Sequence, residues 1–550
     1  MLNPRIRLAL GLGAIALLAI ALYAPFLGNP RVFDDRVLFT HPQFFERLST
    51  RPFGLELRVP PHFTLAFTEV MWGRMEAHRI IGLMLHVACA WVLFRLLARL
   101  LGDQSPLALA GAALFAIHPV AVYGAGYLAQ RSTVLATLFA LLSLMLFIRG
   151  LDRRRHADAV SAALMYTLAV LCKEHALLLP AIALLSLSFT AVERRFAIRH
   201  VAIYFVACAP AALLVIALVK SLIGTPYEQA FDAVTAQIDV AARQDFAESP
   251  WRASAVTQSG LFFKYVELWL LPRTTAMSID MRIDFAATAG ALWAALKVAA
   301  FLAYAACAGL LLRRGGRAAV IGFGLAYTWI LFLVELAAVR FQEPFVLYRS
   351  YLWAPGIIIA VFGAAAYLPR RLALAGSLAA GVVLFAQAHD RLQTFASPLA
   401  LWEDAAAKVE PGVPGGYRVY FQLGRELLYS GQADKAIAVA ERCIAEYPKT
   451  MQCYLARGTI ALQLERYADA LPYLVRATQL DPRSGIAHHH RGLALQELGE
   501  RKAAVAEYEI SQKLDFPAAS TRLRLLRERE ACERSPSCRA KARDRGSKPQ

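Results

Sequence analysis

Leu8–Phe26, LALGLGAIALLAIALYAPF, is an apolar run of 19 residues, and Phe33-Asp34-Asp35-Arg36 follows it almost at once. The next apolar run begins near His78, so two adjacent carboxylates sit close to a bilayer surface. Placing them there is costly. An Asp at mid-membrane is disfavoured by about 2.5–3.5 kcal/mol, and by less towards the interface. Side-by-side carboxylates also raise one another's pKa, which tunes a general base towards neutral pH. On the dipeptide alone, a solvated loop with a helix-capping Asp explains the pair better. What decides between the readings is the rest of the chain.

The first run is preceded by Arg5 and Arg7 but exceeds a typical signal-peptide core, and Tyr23-Ala24-Pro25-Phe26 offers no small-x-small cleavage site. It reads as a retained signal anchor. Hydrophobic residues make up 58% of the 550, and mean hydropathy is +0.44, with the excess before residue 390. Further apolar segments follow at 79–101, 106–123, 132–149, 158–172, 175–192, 200–220, 290–312, 318–339, 351–368 and 372–388, each near the length that crosses hydrocarbon as a helix. The run 261–271 is shorter and ends at Pro272, so it is expected as a re-entrant or interfacial helix.

With eleven crossings, Arg5/Arg7, Arg95/Arg99, Arg149 with Arg153–Arg155, Arg194/Arg195/Arg199, Arg313/Arg314/Arg317 and Arg370/Arg371 all fall on one side. That side is expected to be cytoplasmic. The loops 28–77 and 221–289 and the C-terminus then lie outside. The formal charge of +18 is accounted for largely by these clusters. No basic pattern interleaved with aromatics suggests a nucleic-acid platform, and none is expected as a partner.

From residue 399 the composition turns soluble and a repeat appears. Gly424, Gly458 and Gly492 are 34 residues apart, as are Ala436, Ala470 and Ala504, and Pro448 and Pro482. Tyr420, Tyr454 and His488 keep the same step. This is the tetratricopeptide signature, with units at 417–450, 451–484 and 485–518. The stretch 399–410 is expected as a half repeat and 518–529 as a solvating cap helix. The fold class is therefore all-α: a polytopic helical membrane domain over 1–392, a tetratricopeptide solenoid over 399–530, and a basic tail over 531–550 without order.

Of eight cysteines, Cys89, Cys172, Cys208 and Cys307 lie in apolar segments, and no CxxC pair points to zinc or thiol exchange. In an oxidising compartment Cys532 and Cys538 are the easier disulfide, and Cys443 and Cys453, on successive repeat helices, are a second candidate pair.

Polar groups gather where this topology places outer helix ends. His78 and His86 are eight residues apart on one helix face. His118-Pro119 leads to Gln130-Arg131, Lys173-Glu174-His175 fills the next outer turn, and Arg340, Glu343, Tyr348 and Arg349 lie just before the tenth segment. Singly, each reads as an interfacial anchor. Together they surround the mouth where Asp34 and Asp35 should lie.

The membrane part resembles the GT-C glycosyltransferases, and the whole layout is similar to the transmembrane-and-tetratricopeptide protein O-mannosyltransferases and their bacterial relatives. The matching pieces occur in family order: Phe33-Asp34-Asp35, Arg51-Pro52, His78 with His86, His118-Pro119 to Gln130-Arg131-Ser132, Lys173-Glu174 with Pro180, Thr257-Gln258 with Tyr265 and Pro272, and Arg349 with Tyr351-Leu352. Tyr123, Gly82 and Ala354 depart from residues common in that family, which leaves the sugar open.

The resemblance implies transfer of a sugar from a polyprenyl-phosphate donor to a hydroxyl of an extracytoplasmic protein, which the repeats bind. It implies a bacterial inner-membrane enzyme with a cytoplasmic N-terminus and a periplasmic repeat domain. Asp34 or Asp35 is the expected base. Arg131, Lys173 and Arg349 are the expected phosphate ligands, cations being what a developing phosphate charge needs. His78, His86, His118, Gln130, Glu174 and Tyr351 are expected to contact substrate. A single base with no covalent carboxylate gives inversion. The hard carboxylates Asp34 and Asp35 would also suit Mg²⁺ or Mn²⁺, and no other cofactor is expected. Two other readings share the residues: a membrane-anchored repeat scaffold with an inactive transferase core, and a ligase or polymerase of lipid-linked glycan.

Overall fold

The computed structural model describes residues 4–40, 56–102, 105–225, 249–283, 290–340 and 343–534. Arg51-Pro52 lies outside them. The chain divides into two compact units, the first ending at Lys408 and the second beginning at Val409.

The first unit begins with α1 (Pro4–Tyr23), α2 (Asp34–Thr40), α3 (Val59–Trp72), α4 (Met75–Leu101), α5 (Ser105–Ala116) and α6 (Pro119–Ala125). It continues through α7 (Arg131–Arg153), α8 (Ala157–Cys172), α9 (Leu179–Leu185), α10 (Arg194–Val219) and α11 (Pro250–Leu270). After these come α12 (Ala291–Arg314), α13 (Gly316–Phe332), α14 (Ala354–Ala365), α15 (Arg370–Thr394) and α16 (Pro398–Ala406).

Among the described residues seven helical stretches are long and apolar enough to cross a membrane; they correspond to α1, α4, α7, α10, α12, α13 and α15. The pair α5 and α6 passes the same test together but bends by 62°. The bend sits at His118-Pro119, where Pro cannot continue the helical ladder and His118 restarts it by accepting the Val120 N–H on Nδ1 at 3.2 Å. Three shorter apolar helices, 157–172, 174–189 and 354–365, account for the remaining expected segments.

Two expectations change. The helix expected at 261–271 starts at Pro250 and runs 21 residues. Its first turns carry Ser254, Thr257 and Gln258, which hide it from an apolar count; Ser254 and Gln258 are spent on hydrogen bonds to another segment. The half repeat expected at 399–410 is α16, and it lies in the first unit. There Asp404 accepts from Arg391 at 3.0 Å and from Lys408 at 2.6 Å, and Arg391 and Lys408 both donate to the Met277 carbonyl.

The second unit is the repeat array: α17 (Tyr417–Tyr429) with α18 (Ala433–Glu446), α19 (Met451–Gln463) with α20 (Tyr467–Leu480), and α21 (Gly485–Glu497) with α22 (Arg501–Lys513). The cap helix α23 spans Pro517–Arg534, so the expected tail keeps helix to Arg534 and otherwise lies outside the described residues. A Cβ on Gly458 would stand 2.7 Å from Leu474, and one on Gly492 would stand 2.8 Å from the Tyr508 ring. These helices close on one another only because no side chain intervenes. Cys443 and Cys453 form a disulfide with Cα atoms 5.4 Å apart, joining α18 to α19. The Cys532 side chain and all of Cys538 lie outside what is described.

Candidate active site

Asp34 and Asp35 open α2, and the residue before them carries strain. Phe33 has φ of 48°, a left-handed conformation that costs a non-glycine residue roughly 1–3 kcal/mol. Ring contacts hold it there, to Trp402 at 5.3 Å between centroids and to Tyr127 at 6.4 Å. This turn separates the two carboxylates. Asp35 is fully buried, and its oxygens accept from the Ala129 N–H at 2.7 Å and, at the long distance of 3.5 Å, from the Val32 N–H. Burial pushes its pKa up to about 7, against the pull of Arg79 and these N–H groups. Asp34 stays half-buried, and its N–H donates to the Tyr127 hydroxyl at 3.1 Å.

Arg79, absent from the expected site, fixes the frame around this turn. Its guanidinium donates to the carbonyls of Asn29 at 3.0 Å, Gly126 at 2.5 Å and Pro30 at 2.8 Å. The loop after α1 is thereby tied to the turn that carries Tyr127. An arginine just inside an apolar run, next to His78, was the available signal.

A second layer lies on α3. Glu69 takes Arg31 at 2.7 Å on one oxygen and Nε2 of His78 at 2.8 Å on the other. Burial raises the Glu69 pKa, but the hydrogen bonds from His78 and Arg31 outweigh it and the net shift is down. Arg131 is buried and donates to the His78 carbonyl at 2.8 Å and to Thr68 Oγ1 at 3.3 Å. It braces α4 against α3 with two of its nitrogens.

The cations of the turns at 58, 173 and 340–349 form a third group. Glu335, buried in the last turns after α13, receives His175 Nε2 at 2.8 Å, Arg349 at 3.4 Å and Arg340 at 3.5 Å. Arg349 also donates to the Glu343 carbonyl at 3.1 Å, and Arg58 stands 3.8 Å from Glu174. Glu335 was missed because it sits inside an otherwise apolar segment. Lys173 is different. It is 7% exposed, and its ammonium lies 5.9 Å from the centre of the Tyr348 ring and makes no hydrogen bond or ion pair among the described residues. Burial, with Arg58 and Arg349 nearby, brings its pKa down to about 7, partly opposed by Glu174 and Glu335. The named charges are four cations (Arg58, Lys173, Arg340, Arg349) against three carboxylates (Glu174, Glu335, Glu343).

Tyr127 and Tyr348 join the two halves, with ring centres 6.1 Å apart. The line Asp34, Tyr127, Tyr348, Lys173 thus runs from a partly exposed carboxylate to a buried cation through two rings in contact.

Helix α11 splints the segment that supplies Arg340 and Arg349. Ser254 Oγ accepts from the Arg340 N–H at 2.9 Å, and Gln258 donates to the Pro344 carbonyl at 2.7 Å. The Tyr265 hydroxyl exchanges hydrogen bonds with the N–H and carbonyl of Val346 at 3.0 and 3.1 Å, and Trp269 donates to Ser350 Oγ at 2.9 Å. Positions 254, 258, 265 and 269 share one helical face.

The remaining expected site residues are elsewhere. His86 and Tyr351 do meet, at 2.6 Å, but His86 spends its other nitrogen on the Ala116 carbonyl at 2.9 Å, and both residues are buried. His118 caps α6 and stacks on Trp269 at 4.2 Å, its Nε2 facing the Trp269 carbonyl at 3.1 Å. Gln130 accepts from Thr133 at 2.9 Å. These four shape the helix junctions. Among the described residues no metal-ligand set forms around Asp34 and Asp35. Asp35 is turned to backbone N–H groups, and the described residues hold no group of three or more His, Cys, Asp or Glu able to bind an ion.

Residues 59–220 match the family described as dolichyl-phosphate-mannose-protein mannosyltransferase, and residues 417–450 and 452–484 match the tetratricopeptide repeat. No curated protein matches the chain. Among solved structures it is similar to the Archaeoglobus fulgidus oligosaccharyltransferase in its apo form, at 14% identity over 76% of this chain and 59% of that one, with a TM-score of 0.42. It is also similar to the first tetratricopeptide domain of Spaghetti (RPAP3) bound to an HSP90 peptide, at 22% identity over 21% of this chain and 93% of that one, with a TM-score of 0.20. The chain spans 59% of the length of the oligosaccharyltransferase.

Proposed function

We propose, taking as premise a multi-pass membrane glycosyltransferase of the GT-C kind that ends in tetratricopeptide repeats, that this chain moves a sugar from a polyprenyl-phosphate donor to a protein hydroxyl. The observation that carries the proposal is the arrangement around Tyr127 and Tyr348. It sets the half-buried Asp34 on one side and the unpaired Lys173, with Arg349, on the other.

Asp34 is assigned as the base, because Asp35 is wholly buried and its oxygens face backbone N–H groups. The acceptor oxygen bonds the anomeric carbon, the bond from that carbon to the phosphate oxygen breaks, and its electron pair leaves with the phosphate. The hydroxyl proton passes to Asp34. Lys173 meets the charge that develops on the leaving phosphate, where a fixed cation in a dry site is worth most. Arg349, held by Glu335 and Glu343, positions and reinforces it. With one base and no covalent carboxylate, the anomeric centre inverts. The repeats present the acceptor, outside the cytoplasm of a bacterial inner membrane.

The test uses the purified full-length protein in lipid, a defined polyprenyl-phosphate sugar and a Ser/Thr peptide. One sugar added per reacting hydroxyl and one polyprenyl phosphate released is the expected result. Transfer to lipid-linked glycan with none to peptide would replace this reading with a glycan ligase. Complementation of a deletion strain by the Asp34→Asn/Asp35→Asn variant would replace it with a scaffold.

A further inference from the structure

The opposite ends of α4 and α7 carry a second constellation that the transfer reaction does not use. Arg95 and Arg99 lie on α4 some 25 Å along the helix from His78, and Arg149 and Arg153 lie a similar distance along α7 from Arg131. Between these ends and α1 and α5 is a groove of about 860 Å³. Its floor is apolar, formed by Phe94, Leu109 and Met145 with Gly11 leaving room between them. Its rim is cationic. Two of the four guanidiniums are spoken for: Arg99 holds Asp152 at 2.7 and 2.8 Å, and Arg149 holds Asp158 at 2.8 and 3.1 Å. Arg95 and Arg153 are exposed and have no hydrogen-bond or ion-pair partner among the described residues.

Positive residues at one set of helix ends follow from membrane topology alone. Topology does not require that they ring an apolar-floored groove, nor that two be left unpaired beside two that are paired. We infer that this groove binds a phospholipid carrying two phosphates, its acyl chains on the apolar floor and one phosphate at each of Arg95 and Arg153. The occupant follows from charge complementarity, two exposed guanidiniums without a hydrogen-bond or ion-pair partner among the described residues for two phosphates, and from a floor that a free anion would leave uncovered.

The experiment uses the full chain purified in phosphatidylcholine nanodiscs, with cardiolipin, phosphatidylglycerol and inorganic pyrophosphate as probes, read by native mass spectrometry. One cardiolipin should be retained per chain, more tightly than phosphatidylglycerol. The Arg95→Gln/Arg153→Gln variant should lose roughly tenfold to thirtyfold in affinity, and Arg95→Lys/Arg153→Lys should lose less. Gly11→Leu should also weaken retention. A Cβ there meets only Leu109 and Phe94, at 3.5 Å and beyond, so the side chain fills the floor without touching the charges. Equal retention by the double Gln variant and the parent chain would overturn the inference. So would competition by pyrophosphate as effective as that by cardiolipin, since the floor would then play no part.

Discussion

The Lys173 ammonium lies over the Tyr348 ring, 5.9 Å from its centre, and has no carboxylate within ion-pair distance among the described residues. A buried cation in this state gains most from an anion that arrives with the substrate. Burial brings its pKa down to about 7, so the charge is present below that pH and lost above it. The donor's phosphodiester keeps its charge throughout. Donor binding should therefore weaken as pH rises through 7, by roughly tenfold between pH 6 and 8.5. Lys173→Arg, charged at every pH, should flatten the profile, and Lys173→Met should bind donor poorly throughout. Donor KM against pH is the measurement, and a profile that keeps its slope in Lys173→Arg would remove Lys173 from donor binding.

The two adjacent carboxylates should part company. Asp34→Asn should lower kcat by about 10²–10⁴-fold, the usual worth of a positioned base, with the protein still folded. Asp35→Asn should act mainly on stability, because Asp35 serves Ala129 and Val32 rather than solvent. The sign of its pH dependence follows from its raised pKa of about 7. Between pH of about 4 and 7 the folded state keeps a proton that the unfolded chain has released. Stability should fall as pH rises through that window and level off above it. Thermal unfolding of Asp35→Asn should lack this slope; a parallel slope in the variant would assign it to another group.

Legibility in the sequence followed the physics of each signal. Apolar length located the crossing helices, and a 34-residue step located the repeats, because both are averages over many residues. Lys173 and Arg349 could be read because charge between apolar runs is conspicuous. Arg79 and Glu335 were passed over, since each is one charge inside a run that reads as a span, and its partners lie 47 and 160 residues away, at Gly126 and His175. Helix α11 was read eleven residues short because the side chains that bind the 338–350 segment are polar. His86 and His118 show the opposite case. A histidine in an apolar helix drew attention as a ligand, and the fold uses both of its nitrogens.

The disulfide gives the third prediction. Cys443 and Cys453 close a short loop between α18 and α19, and a cross-link of this size stabilises by about 2–3 kcal/mol through the unfolded chain. Non-reducing peptide maps of protein from its native membrane should show this pair linked. Cys443→Ser/Cys453→Ser should lower the melting temperature of the repeat unit and leave transfer to a short peptide intact. Quantitative thiol labelling of both positions without reductant would count against an oxidising compartment for this unit.

The repeat glycines make a paired test, since they hold the same position in successive units. A Cβ on Gly424 meets nothing closer than 3.7 Å, whereas one on Gly458 falls 2.7 Å from Leu474. Gly424→Ala should be neutral or stabilise by up to about 1 kcal/mol through helix propensity. Gly458→Ala should destabilise by about 1–3 kcal/mol through overpacking. Gly458→Trp should impair transfer to a folded protein acceptor and spare a short peptide. Chemical unfolding of the full chain separates the two alanine variants, and equal effects would mean that α19 and α20 are not as close as described.

The last prediction concerns how Arg349 is held. The Tyr265 hydroxyl accepts the Val346 N–H and donates to the Val346 carbonyl, with every atom concerned buried. Tyr265→Phe keeps the ring, which packs on Phe345 at 4.2 Å and Trp353 at 5.7 Å, and removes only the oxygen. Two backbone groups then lose their partner, a cost of about 1–3 kcal/mol for each group left unsatisfied. The segment escapes that cost by shifting away from α11, and Arg349 moves with it because only two residues separate it from Val346. Donor KM should rise while the kcat measured at saturating donor stays within a few-fold, since Asp34 is untouched. A purely structural role for Tyr265 would lower thermal stability without moving donor KM. That outcome would detach the splint from donor binding and leave Lys173 as the principal phosphate ligand.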